Sequence, residues 1–285
     1  SATINQPTVI SASTTVVNVS CNGGNNGTVN LNVSGGTSPY SFVWSNSATS
    51  QNISGVIANT YTATVTDVNS CSVTASGVVA QPTALSLSHT QTNVSCNGGN
   101  NASIDLSVSG GSPAYTYSWS NSAATQDISN LASGSYTVVV TDNNSCTASL
   151  NAVITQPSAA LSVLVASQSN VSCFSGNNGS ITTTTLGGTP AYTYNWGGGI
   201  TTPNRTNLSA GTYTVTVSDA NSCTATVSAT ITQPAAALSA TVANVTNVSC
   251  NGGNNGAIDV NVSGGTTTYN YLWNGGAITQ DRSGL

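Results

Sequence analysis

Seven cysteines and seven aspartates supply nearly all the reactive side chains of this 285-residue sequence, which has no Lys, Glu or Met and a single histidine, His89. The cysteines form two series: Cys21, Cys96, Cys173 and Cys250, then Cys71, Cys146 and Cys223. No Cys-x-x-Cys pair occurs and one histidine cannot serve four sites, so the pattern is that of a disulfide framework and not of zinc. First and second cysteine are always 50 residues apart. This makes Cys21–Cys71, Cys96–Cys146 and Cys173–Cys223 the expected bridges and leaves Cys250 unpaired. A link between Cys71 and Cys96 is the alternative. Each bridge would add on the order of 4 kcal/mol to a module that is only marginally able to bury a core. Disulfides persist where thiols oxidise, which places the chain outside the cell, on its surface.

The other chemistry on offer is thin. Asp67, Asp142 and Asp219 each stand four residues before a second-series cysteine, beside Asn69, Asn144 and Asn221. Together with Asn-rich loops they are weak candidates for an oxygen-only calcium site; an Asx turn closing the loop is the plainer reading. Tyr115, Tyr117 and Trp119, with Tyr192, Tyr194 and Trp196, could stack on sugars, although alternation along a strand points to core. Trp44, Trp119, Trp196 and Trp273, with Tyr61, Tyr136 and Tyr213, are the expected core aromatics. The Gly-rich loops at 22–27, 97–101 and 251–256 lack the Lys-Ser/Thr and the helix of a phosphate cradle, so they read as turns. His89 and Arg205 have no evident counterparts in other copies and are expected on the solvated surface. No nucleophile, base and orienting acid recur together, so no catalytic residue and no cofactor are expected.

What positions these residues is a repeat. The four Trp are 75, 77 and 77 residues apart, and Gln-Pro recurs with Pro at 7, 82, 157 and 234. From first Cys to Trp is always 23 residues, and from second Cys to the closing Pro always 11. Length varies only between a Pro and the next first Cys, by two residues, which preserves the face of a strand. Boundaries placed at Gln-Pro give a tail of a preceding module at 1–7, repeats at 8–82, 83–157 and 158–234, and a partial fourth at 235–285. The missing second cysteine of the fourth copy is expected near position 300, so neither end is expected to be natural.

Copy two shows the local pattern. Strands are expected from Ala84 to about Ser95, through Ile104, Leu106 and Val108, through Tyr115, Tyr117 and Trp119, in a short segment at Gln126–Leu131, through Tyr136, Val138 and Val140, and through Ala148, Leu150 and Ala152. Period-2 runs parted by Gly, Asn, Ser and Pro read as an immunoglobulin-like β-sandwich. Leu131 to Tyr136 resembles the corner in which a Tyr hydroxyl bonds upstream backbone, and Asn59 in place of Gly134 and Gly211 suggests a turn with positive φ. Six strands in hairpin alternation would put both cysteines, and both module ends, on one side. A seventh strand near Ser120–Thr125, or a broken first strand, would restore opposite ends.

Charged residues are 3% of the chain and the net charge is −5, so nothing neutralises a phosphate backbone and nucleic acid is not an expected partner. No apolar run spans a membrane. The run Val-Ser-Cys96-Asn-Gly-Gly-Asn-Asn, then Ser109-Gly-Gly-Ser-Pro-Ala-Tyr-Thr-Tyr-Ser-Trp119, then Leu131-x-x-Gly-x-Tyr136 leading to Asp142-Asn-Asn-Ser-Cys146, resembles the SprB-type repeat over essentially the whole chain. Copy three departs from it at Phe174-Ser175. The resemblance implies a giant cell-surface adhesin of gliding Bacteroidota-type bacteria, exported by a type IX route. The reading is therefore all-β: tandem immunoglobulin-like modules in an extended array, a non-enzymatic stalk whose partners are further copies of the same repeat. Lateral self-association into a fibre or sheath, or carbohydrate-binding spacers in a larger secreted protein, are the alternatives.

Overall fold

The computed structural model describes residues 4–285, and every regular element in them is a strand. Copy one contributes β1 (Ser11–Val17), β2 (Gly27–Ser34), β3 (Ser41–Trp44), β4 (Ile53–Val56), β5 (Asn59–Thr66) and β6 (Ser72–Val79). They form two three-stranded antiparallel sheets, ordered β1-β2-β4 and β3-β5-β6. Copy two repeats this with β7 (Ser86–Thr92), β8 (Ala102–Ser109), β9 (Thr116–Trp119), β10 (Ile128–Leu131), β11 (Gly134–Thr141) and β12 (Thr147–Ile154). Copy three has β13 (Ser162–Ser169), β14 (Gly179–Leu186), β15 (Thr193–Asn195), β16 (Arg205–Leu208), β17 (Gly211–Ser218) and β18 (Thr224–Ile231). The partial fourth copy supplies one sheet, β19 (Ser239–Thr246), β20 (Ala257–Ser263) and β21 (Arg282–Ser283).

The core of each complete copy lies between its two sheets, because period-2 sequences turn alternate side chains inward. In copy one Val29 and Leu31 of β2 meet Trp44, Ala63, Val65 and Val79 of the facing sheet. In copy three the cluster divides into two, joined through a half-buried Trp196, where Thr183 stands in place of Leu31 and Leu106. By contacts the described chain divides into two compact units: one contains residues up to Val94 and Asn100–Thr155, the other Ser95–Gly99 and Gln156–Leu285. The loop carrying Cys96 thus belongs with the copy that follows it.

Strand direction decides everything that follows. Thr14 Oγ1 donates to Ser76 O, Ala80 N to Asn18 Oδ1, and Val19 N to Ala80 O. Partners advance together along both strands, so the first and last strands of the copy are parallel. Pairing makes β4 parallel to β1, and β3 parallel to β6. Hence β3 and β4, consecutive in sequence, run the same way, and the chain must return between them. It does so without a strand. After the turn at Trp44–Ser47, residues 48–52 run back beside β2, where Asn52 Oδ1 accepts from Leu31 N and Gln51 Nε2 donates to Leu31 O. No seventh strand forms near Ser120–Thr125, and the first strand does not split. The expected same-side ends are corrected: side chains replace the ladder on the return leg, and six strands still give opposite ends.

The extra two residues of copies three and four are also placed differently from a simple strand extension. One precedes the strand, since Gly188 N reaches Ala159 O where Gly111 N reaches Thr83 O. The other is a bulge between Val165 and Ser167, repeated between Val242 and Asn244. A bulge absorbs one residue without turning the strand over.

Candidate functional site

The residues with distinctive chemistry gather where one copy ends and the next begins. In the first unit the loop after β1 turns at Cys21, with Gly24 N donating to Cys21 O. Asn26 staples it, accepting from Ser20 N and donating to Ser20 Oγ. Gly23, at φ 71°, aims its N–H at Gln81 Oε1, 2.8 Å away, and Asn22 Nδ2 donates to Pro82 O at 3.0 Å. The loop is therefore clamped onto the Gln-Pro link that closes its own copy. From the next copy Asn144 Nδ2 donates to Ser20 O at 3.0 Å, and Cys146 bonds Cys21, with Cα atoms 5.7 Å apart.

Asp142 holds that face in shape. Its carboxylate accepts from the backbone N–H groups of Ser112, Asn144 and Cys146, while its own N–H donates to Cys146 O. The Ser112 N–H foremost, aided by those of Cys146 and Asn144 against the opposing effect of burial, holds the carboxyl below its ordinary value. Asp67 and Asp219 are buried in the same cradle, with Thr37 and Thr189 in the place of Ser112.

The second unit repeats the junction. Cys96 bonds Cys223, Asn221 Nδ2 donates to Ser95 O, Asn97 Nδ2 to Pro157 O, and Gly98 N to Gln156 Oε1. The expected pairings Cys21–Cys71, Cys96–Cys146 and Cys173–Cys223 are thus overturned, and so is the alternative Cys71–Cys96; Cys71, Cys173 and Cys250 are free thiols. The reason is strand direction. Cys21 lies just past Asn18, which touches Ala80, whereas Cys71 precedes Ala80 by nine residues of extended chain, about 30 Å. A disulfide cannot reach across a module; it reaches the next one.

The remaining candidate residues do structural work. With three backbone donors apiece, the carboxylates of Asp67, Asp142 and Asp219 are engaged in turns, and among the described residues no three of His, Cys, Asp and Glu gather to hold a metal. Trp44 and Trp119 are buried; Trp196 and Trp273 are half-buried. All four indole N–H groups donate to the return leg, at Ser50, Thr125, Thr202 and Thr279 O. Tyr115 and Tyr192 donate to Gly110 and Gly187 O, and Tyr117 and Tyr194 bond Gln126 and Thr185, so all four hydroxyls are engaged within their own copies. Tyr61, Tyr136 and Tyr213 donate to the carbonyls of Ile57, Ala132 and Ser209, four residues upstream.

Two smaller expectations are corrected. Neither Asn59 nor Gly211 has a positive φ, because a strand already starts there; the left-handed position is instead Gly55, Asn130 and Asn207, within the short fourth strand, and Gly284, just after β21. Arg205 is not an isolated surface charge. It has a counterpart in Arg282, and its guanidinium lies 5.8 Å from the Trp196 ring and 5.1 Å from Tyr213, as Arg282 lies 5.8 Å from Trp273. Both stand where copies one and two have Ile53 and Ile128. His89, on β7, sits 3.3 Å from Gln91 Oε1. At the junction, sequence reading missed Gln81, Gln156 and Gln233, taken only as boundary markers. A link needs Pro alone; the Gln before each of the linking prolines, Pro7, Pro82, Pro157 and Pro234, was the signal.

The fold and junction define a class: tandem immunoglobulin-like β-sandwiches whose neighbouring copies are bridged by disulfides. The family model for the SprB repeat matches residues 13–49, 88–124, 165–201 and 242–278, together just over half of the chain. The chain belongs to the SprB-repeat family. No curated protein sequence matches it. Among solved structures, it resembles three N-terminal domains of the bacteriophage RB49 outer capsid protein Hoc (16% identity, TM-score 0.40, 78% of this chain and 97% of that one). It also resembles extracellular domains 3–5 of Drosophila OTK (10%, 0.31, 76% and 96%) and a tetra-tandem repeat from the extending region of a large adhesion protein (14%, 0.23, 90% and 81%). At such TM-scores none of these likenesses bears on function.

Proposed function

We propose that this chain is a load-bearing stalk segment of a large, repetitive cell-surface adhesin, and not an enzyme. The observation that carries the reading is the stagger of the bridges: Cys21–Cys146 and Cys96–Cys223 overlap in sequence, so tension passes between copies through covalent bonds. A catalytic or ligand-binding module gains nothing from such linkage; a tether does. The bridges also favour an extracellular location. Movement of a cell over a surface and export by a type IX route are the finer expectations that the family brings. The test is single-molecule pulling on the purified chain with and without reductant, beside glycan-array binding and light scattering. A stalk resists extension until reduced, stays dispersed and ignores glycans. Strong glycan retention supports the spacer reading instead, and ordered side-by-side fibres the sheath.

A further inference from the structure

Arg205 is a cation set where the sister copies bury an apolar side chain. Ile53 and Ile128, its equivalents, are 4% and 6% exposed. A charge brought into a core needs a partner, yet among the described residues no acceptor takes a hydrogen bond from the half-buried Arg205 guanidinium. None of its nitrogens is shut away from solvent either. The one carboxylate within residues 158–234, that of Asp219, is buried and committed to three backbone N–H groups of its own turn. What fixes Arg205 is aromatic: the Trp196 ring at 5.8 Å and the Tyr213 ring at 5.1 Å. A guanidinium that lies over rings keeps the N–H fork along its edge for another group.

The turn beside it changes in step. After Trp44 and Trp119 the chain reads Ser45-Asn46-Ser47 and Ser120-Asn121-Ser122; after Trp196 it reads Gly197-Gly198-Gly199, and after Trp273, Asn274-Gly275-Gly276. Isoleucine thus goes with a serine turn in two copies, and arginine with a glycine turn in the other two. A Cβ added at Gly197, Gly198 or Gly199 would meet nothing within 4 Å, so this turn stands clear of its surroundings. Trp196 is half-buried where Trp44 and Trp119 are 2% and 3% exposed. Its indole N–H already donates to Thr202 O, so the ring offers only apolar surface. An exposed aromatic edge, a cation with its donors unspent and a turn without side chains therefore meet at one place in copy three.

We propose that Arg205, Trp196 and the Gly197–Gly199 turn form a binding site for a uronate unit of an acidic polysaccharide. The guanidinium fork takes the sugar carboxylate through paired N–H···O bonds, a geometry that lysine does not match. The exposed part of the indole takes the C–H face of the pyranose ring. A neutral sugar lacks the carboxylate and a simple anion lacks the ring, so neither fills the site. Arg282 lies 5.8 Å from the Trp273 ring, which repeats the pair one copy later. A single contact of this kind is weak and falls short of retention on a washed glycan array. A polymer that repeats the uronate is held by engaging several such contacts at once. The site goes beyond the stalk reading and does not depend on it.

The experiment titrates the ¹⁵N-labelled full chain with methyl glucuronide, methyl glucoside or sodium acetate at matched ionic strength, following the indole and arginine Nε–H signals by NMR. Methyl glucuronide should shift the Trp196 and Arg205 signals along a saturating curve and leave Trp44 and Trp119 still. Arg205→Ile installs the residue that copies one and two carry, so the fold is kept; it should abolish the Trp196 response. Arg205→Lys, with the charge but not the fork, should weaken the response several-fold. The proposal is overturned by shifts that do not saturate, by acetate or methyl glucoside acting as strongly as the glucuronide, or by Trp44 and Trp119 responding alike. It is equally overturned if the Trp196 response survives in Arg205→Ile or is undiminished in Arg205→Lys. None of these outcomes alters what a pulling measurement says of the stalk.

Discussion

Asp142, Trp119 and Ser175 each carry a consequence that a single substitution can read. The Asp142 carboxyl is held below its ordinary value by the Ser112 N–H and its companions. A carboxylate depressed in the folded state stabilises above the unfolded value, near 3.9, and that stability is lost as pH falls from there through the folded value. Denaturant midpoints measured from pH 6 to pH 2 should therefore fall as the pH drops below about 4. Asp142→Asn should lower the neutral midpoint and flatten the acid slope; an unchanged slope contradicts the cradle. Trp119→Ala empties a core position and loses the indole bond to Thr125 O, so a loss of about 3–5 kcal/mol is expected. Trp196→Ala, at a half-exposed site, should lose less; equal losses would show that burial is not the cause. Ser175 stands at φ 59° where Gly23, Gly98 and Gly252 stand at 71°, 78° and 79°, and it still donates to Gln233 Oε1. The loop of copy three thus keeps the common conformation at a backbone cost, and Ser175→Gly should raise stability by roughly 0.5–1 kcal/mol in chemical denaturation.

At the scale of elements, the short fourth strand and the return leg before it are the unusual pieces. The strand pairs with a bulge between Ser129 and Leu131, leaving Asn130 at φ 58°. Gly and Asn alternate there among the copies because both tolerate that conformation. Asn130→Val should cost about 1–2 kcal/mol while Asn130→Gly is close to neutral; similar thermal midpoints for the two variants would argue against it. Most strands were legible in sequence through their alternation, as in Ile104, Leu106 and Val108. The return leg was not. Residues 48–52 and their equivalents satisfy β2 with Asn, Asp and Gln side chains in place of backbone, which leaves no period-2 signal to read.

For the whole molecule, the overlapping bridges set how far the chain can be drawn out. The shortest covalent route from Cys21 to Cys223 crosses both bridges, by way of Cys146 and back to Cys96, so it spans only the 50 residues between those two cysteines in place of 202. At roughly 3.5 Å per extended residue, reduction should lengthen the fully stretched chain by about 520 Å. Force–extension curves recorded before and after adding dithiothreitol check this directly. A gain near zero would mean that the bridges do not form in solution, and a Cys96→Ser variant should show a smaller gain than wild type because one bridge is already missing.

From the sequence alone came the repeat, the β-sandwich, the oxidising compartment, the tyrosine corners and the family, because each is written in spacing or in local alternation. The candidate site was half-visible in the same way: the cysteines, Asn144 and the Asp142 turn stood out by their fixed distances from one another. Which cysteine meets which was decided only in three dimensions. A constant 50-residue gap says that two residues recur together, not that they lie together, and hairpin counting placed them at one end because it assumed that every reversal needs a strand. The parallel first and last strands put them at opposite ends of the copy, and the disulfide, with a reach of one side chain at each end, then had only the neighbouring copy to join.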